Sequence, residues 1–449
     1  MLKDRYGNPL TTASDTARNA YVDGVDKFLS GNAGSEEAFG DAINADPNLA
    51  VGYVGIARYR MLMGDRAAAG TAIQNARNAT GISEREASHV EAFGKLVDGD
   101  APGGYKAIRA HVLEYPRDVM IAQTCTSVFG LIGFSGREGR EAEQLAYTTY
   151  IEPNYGDDWW FLGQHAFAQA EVGQLGLARE NIERALEAYP RNGHNAHVNA
   201  HIFYEEGRND AGFNYLREWR GGYDNNAYLY CHITWHVALW TAATGDTETA
   251  WHLLDEGCSP ASSKGPALNI LTDTVSFLHR AQLAGINVPT KRWELISDFA
   301  AEKFPHAGLA FADIHSALAH AMADNAEAFA ALTKKAVGPA AEIVAPTWAG
   351  FKSFAEGNWA AAERELGPAM AGHERLGGSN AQRDLLEFTI AEAIRKQGRA
   401  AKGALPWNHL ASWSSPGKLW PAAVRQVARR DACNDGATRR ANPLAAGLC

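Results

Sequence analysis

Four of the fifteen histidines in this 449-residue chain form two pairs spaced four apart, His197 with His201 in HVNAH and His232 with His236 in HITWH. Residues four apart on an α-helix share a face, so each pair directs two imidazoles at one patch of space. Random placement would give roughly half of one such pair in a chain of this composition. Four imidazoles with a carboxylate suit a borderline divalent ion, for which zinc, iron and manganese are the candidates. Val198, Asn199, Ile233 and Thr234 occupy the inner positions, so HExxH is absent and a thermolysin-like peptidase is not supported. The same imidazoles also suit metal-free acid–base chemistry near pH 7, oriented by a carboxylate.

Other residues could complete such a site. FADIHSALAH carries Asp313 and His315, and a GGS turn precedes the run Gln382, Arg383, Asp384. Asp313 and Asp384 are the candidates for a general base. Arg383 could hold an anionic group, with Gln382 beside it and Trp235 as a ring platform between two site histidines. Arg383 and Asp384 could equally pair with each other or cap their helix. Trp240, Phe203 and Trp348 sit at helical spacings that point to core packing, as do Cys231 beside His232 and the lone histidines His194, His252 and His320 as interhelix contacts. Neither GxSxG nor a Gly-rich phosphate loop after a strand occurs, and Gly377-Gly378-Ser379 reads as a turn and helix cap.

The elements that must position these groups read as helices throughout. Ala, Leu, Glu and Arg recur at helical periods broken by short Gly, Asp, Asn and Pro turns. LARENIERALEAYPR places small or apolar residues at Ala178, Ile182 and Ala185, the second helix of a tetratricopeptide-like pair. Ala211 with Tyr215, then Ala250 with Leu254, stand as its successors. Ala57, Ala69, Ile73 and Ala76 repeat the scheme earlier, and Ala349, Gly350, Gly357 and Ala361 later. The expectation is an all-α helix-pair solenoid, closed or tightly wound, over 1–400, with a C-terminal extension or docked tail over 401–449. SPASSKGPA at 259–267 reads as a long loop within it. Both histidine pairs then lie on first helices of consecutive repeats and face one cavity.

A net charge of −10 and the absence of a basic footprint argue against nucleic acid as a partner. Five scattered cysteines show no CxxC spacing, the N-terminus has no apolar core, and no run is long enough for a membrane span. A cytoplasmic protein without a membrane partner is expected, and a homo-oligomer is compatible with this surface charge.

Several blocks, in order, resemble the tetratricopeptide repeat protein 38 family: HVNAHIFYEEGR, CHITWHVALWTAATGD, TDTVSFLHRAQLAG with Lys291-Arg292-Trp293, FADIHSALAH and GGSNAQRDLLEF. His279 departs from the family's Trp and Tyr204 from its acidic residue. The resemblance implies the solenoid fold over most of the chain and leaves the chemistry to the site. On the site residues, the expectation is an enzyme acting on a small polar or anionic molecule in a His-rich pocket. Metal-assisted hydrolase- or lyase-like chemistry, or catalysis by His197, His201, His232, His236, Asp313, His315 and Asp384, would serve it. The alternative is a non-catalytic tetratricopeptide adaptor that takes a peptide or protein partner in its concave groove.

Overall fold

The structure of the protein, a computed structural model, describes residues 2–399. The expected tail over 401–449 lies outside the described residues. Among the described residues there are twenty-one α-helices and no β-strand, only an isolated antiparallel bridge between Lys3 and Pro9. Consecutive helices pack as antiparallel pairs into a tetratricopeptide-like solenoid. None of these helices is long and apolar enough to cross a membrane.

The pairs share a turn chemistry. Helix Tyr230–Thr244 ends on Gly245 at φ 93°, a left-handed conformation that favours glycine, and Asp246 then accepts from Thr249 N to cap Thr247–Gly257. Gly64-Asp65 repeats this between Ala50–Met63 and Arg66–Asn78. A Gly-Asp dipeptide thus stops one helix and starts its partner.

Small residues on the second helices set how closely each pair approaches. Ala178, Ile182 and Ala185 on helix Leu175–Ala188 are buried as expected. On the next second helix, Asn209–Arg220, the buried residues are Gly212, Leu216 and Trp219, each 34 positions further on. The expected Ala211 and Tyr215 are only half-buried, so that register is corrected by one residue. The cause is steric: a Cβ on Gly212 would lie 2.8 Å from Phe203 Cβ and 3.1 Å from the Trp240 ring. Ala250 and Leu254 are buried as expected, whereas of the later pair Gly350 is buried against Leu366 and Ala349 is exposed.

The superhelix winds tightly enough that distant segments meet. Tyr228 donates to Phe28 O at 3.0 Å and Tyr223 to Gly31 O. At the other end Arg140 donates to Glu374 O and Gly378 O, Arg383 pairs with Glu141, and Asn380 N donates to Glu171. Helix Gly193–Glu205 lies between these closures and packs against both Asp15–Ser30 and Asn380–Lys396. Every residue of it except Phe203 is buried.

Candidate functional site

His197 and His201 stand on helix Gly193–Glu205, started by Asn192, whose side chain accepts from Asn195 N at 2.9 Å. His232 and His236 stand on Tyr230–Thr244, the first helix of the following pair. The solenoid brings the four rings together. Centroids are 4.5 Å apart for His197–His201, 4.7 Å for His197–His232, 4.7 Å for His201–His236 and 4.8 Å for His232–His236. One potential ligand atom from each lies within 4.8 Å of the others. The approach of Trp159–Glu171, the first helix of the preceding pair, depends on Gly163, where an added Cβ would meet Asn195 Oδ1 at 1.9 Å. Gly163→Ala is accordingly expected to lower unfolding free energy by about 1–3 kcal/mol through overpacking. An unchanged midpoint in chemical denaturation would contradict this contact.

Burial and the neighbouring imidazoles push His197 and His236 well below the ordinary histidine range, and the same holds for His201. These rings are therefore neutral near pH 7 and retain a lone pair. His197 Nε2 and His201 Nε2 are 2.8 Å apart and satisfy one another. His232 Nδ1 donates to the buried Asp273 carboxylate at 2.9 and 3.0 Å, which fixes the tautomer and leaves Nε2 as acceptor. Asp273 comes from helix Ala267–Leu283 and lies within TDTVSFLHRAQLAG. An acid inside a buried helix was the available clue to it.

His197, His201 and His232 form part of the wall of an interior pocket of about 770 Å³. Most of that wall is apolar, with Phe28, Met61, Leu62, Phe93, Phe129 and Phe134 among its residues. Gln382, Asn269, Arg58 and Arg137 add polar groups. Sequence reasoning missed Arg58, which is 6% exposed and lies 4.9 Å and 5.5 Å from the centroids of Phe28 and Phe93. Its Nη2 donates to Gln123, its Nη1 is buried without a partner, and it has no salt bridge among the described residues. Burial pushes its pKa down to about 10.

The remaining expected site residues have other partners. The Asp313 carboxylate accepts from Gly308 N at 3.1 Å and Leu309 N at 3.4 Å, and burial raises its pKa to about 6. His315 Nδ1 donates to Phe311 O at 2.7 Å. Asp384 accepts from Tyr204 at 2.6 Å, so a buried tyrosine engages this acid. Gln382 closes a capping box with Ser379, confirming the GGS turn as a cap. Arg383 pairs with Glu141 and Gly378 O, so neither its pairing with Asp384 nor an anion-holding role is supported. Trp235 is 1% exposed, stacks 5.1 Å from His232, and is absent from the pocket wall, so it is a core residue rather than a platform. Trp240, Trp348 and Cys231 are buried, while Phe203 is half-buried beneath Arg179 and Arg208.

Of the lone histidines, His320 pairs with Ser297 across helices at 2.8 Å. His194 contacts Gln164 and reaches the pocket, and His252 is exposed, contrary to its expected interhelix role. A second cluster, His89, His111 and Asp118, escaped the sequence reading because its members lie on three segments without regular spacing. Asp118 takes both rings and Arg85, and His111 Nδ1 contacts Ser88. Burial would raise the Asp118 pKa, yet these neighbours hold it well below the carboxylate range.

No family model matches the chain. It is similar to solved structures of a human IFIT1 dimer with PPP-AAAA, at 13% identity over 95% of this chain and 98% of that chain, TM-score 0.43. A human IFIT1 dimer with m7Gppp-AAAA is similar at 15% identity over 96% and 98%, TM-score 0.43. These neighbours correct two expectations. Both hold oligonucleotides, so neither the exclusion of nucleic acid nor the reading of a small-molecule enzyme is retained. Physical reasons run the same way: a whole-chain charge of −10 does not describe the local lining, where Arg58 has no salt bridge among the described residues. The carboxylates expected to act as bases are bound elsewhere. At this identity and TM-score the likeness assigns no ligand to this chain.

Proposed function

We propose that the chain is a non-catalytic, tetratricopeptide-like binding scaffold that receives a segment of a peptide or protein partner in its concave interior. An apolar side chain fills the pocket and a carboxylate of the same segment meets Arg58. The observation that carries this reading is the guanidinium itself, nine-tenths buried on an apolar wall with one nitrogen unpartnered. An uncompensated buried charge costs several kcal/mol, and a ligand carboxylate would offset that cost with a charge-assisted hydrogen bond. The buried, unpaired Cys125, Cys231 and Cys258 support a reducing cytoplasmic setting. The five ordered sequence blocks support kinship with the tetratricopeptide repeat protein 38 family.

The test is selection from a displayed peptide library, followed by binding of the selected peptides to the full chain and to Arg58→Met. Peptides carrying Phe or Leu near Asp, Glu or a free C-terminus are expected, with affinity at least about tenfold weaker for the variant. Selection of no such class, or tighter binding of PPP-AAAA than of any peptide, would overturn the reading.

A further inference from the structure

We infer that His197, His201, His232 and His236 form a closed, all-nitrogen centre for one borderline divalent cation, with zinc preferred.

The geometry is nonlocal and specific. Two helices of consecutive repeats each contribute two rings, and the four ligand atoms lie within 4.8 Å of one another. Tetrahedral ligands about 2.0–2.1 Å from zinc are roughly 3.3 Å apart, and the observed spread of up to 4.8 Å exceeds that spacing by at most about 1.5 Å. As a purely structural contact, the cluster is poorly satisfied. Its internal hydrogen bond joins His197 to His201, and His197 Nδ1, His201 Nδ1 and His236 Nε2 remain buried without partners. Leaving several ring nitrogens dry is costly, and a cation that takes one lone pair from each ring would relieve part of that cost.

The surroundings fit a resident ion. Asp273 orients His232 through Nδ1, the arrangement by which carboxylates commonly support metal-bound histidine. Among the metals considered, manganese favours oxygen ligands, whereas imidazole sets suit zinc, iron, nickel and copper, and a four-ligand closed site suits zinc. The His89–His111–Asp118 cluster differs because Arg85 already neutralises its carboxylate and Ser88 and Asp118 occupy its rings.

The test uses the full chain, stripped with chelator and titrated with zinc alone, then with cobalt as a spectroscopic probe. One zinc per chain and cobalt bands of tetrahedral intensity are expected. Asp273→Asn should bind zinc about 10–100-fold more weakly, His201→Gln should retain none, and His89→Gln should retain the full equivalent. Arg58→Met should also retain it, which separates this inference from the reading of the pocket. Failure of the wild-type chain to retain zinc, or full-strength retention by Asp273→Asn, would overturn the proposal even if His201→Gln did not fold.

Discussion

Replacing Arg140 with Met should lower the unfolding free energy by about 2–4 kcal/mol, a large effect for a residue remote from the histidine pairs. Its side chain is fully buried, with Nε donating to Glu374 O and Nη2 to Gly378 O at 2.7 Å. These bonds join segments more than 230 residues apart and hold the late repeats against the middle of the array. Methionine preserves much of the apolar volume but removes both charged hydrogen bonds, each worth about 1.5–3 kcal/mol, although Glu374 O keeps Gly377 N and Gly378 O keeps Arg383 as donors. Removing a cation whose pKa burial pushes down to about 10 offsets part of that cost. Denaturant titration should show an earlier midpoint, and protease should cut the 374–380 segment faster. Wild-type values in both would mean that the winding is held elsewhere.

Acid should destabilise the fold steeply between pH 6.5 and 4.5. Burial pushes His194, His315 and His320 down to about 4 and His279 down to about 3, with Arg280 also lowering the last. In the unfolded chain they titrate near 6.5, so below that value the unfolded state binds more protons. Their stabilisation is complete above pH 6.5 and is lost as pH falls toward the folded values. Each contributes about 1.4 kcal/mol per pH unit across that window. Two buried acids oppose them. Burial raises Glu171 to about 8 and Asp313 to about 6, so both are relieved as pH falls. Four histidines against two acids leave a net slope of about 3 kcal/mol per pH unit between pH 6 and 4.5. His197, His201 and His236 shift in the same direction and steepen it. Equal denaturation midpoints at pH 7 and pH 5 would refute this balance.

The features legible in the sequence are those encoded locally. Helix periodicity, the Gly-Asp turns and the four-residue spacing of HVNAH and HITWH act within one or two turns of chain. They place both pairs on first helices of consecutive repeats. The register of one second helix, Asn209–Arg220, differs by one residue because Gly212, rather than Ala211, lets Phe203 and Trp240 approach, a demand made by neighbouring elements. Asp273 and Arg58 matter through partners 41 and 65 residues away, and no spacing rule reaches so far. Asp313, His315, Asp384 and Arg383 have the residue types of a catalytic site. Backbone groups, Tyr204 and Glu141 engage them once the chain winds.

X-ray absorption spectroscopy of the zinc-loaded full chain tests most directly the claim that two separate HxxxH pairs become one centre. A first shell of four nitrogens at about 2.0–2.1 Å, with outer-shell scattering from four imidazoles, is expected. A shell with only two imidazoles, or one dominated by oxygen or sulfur, would contradict it.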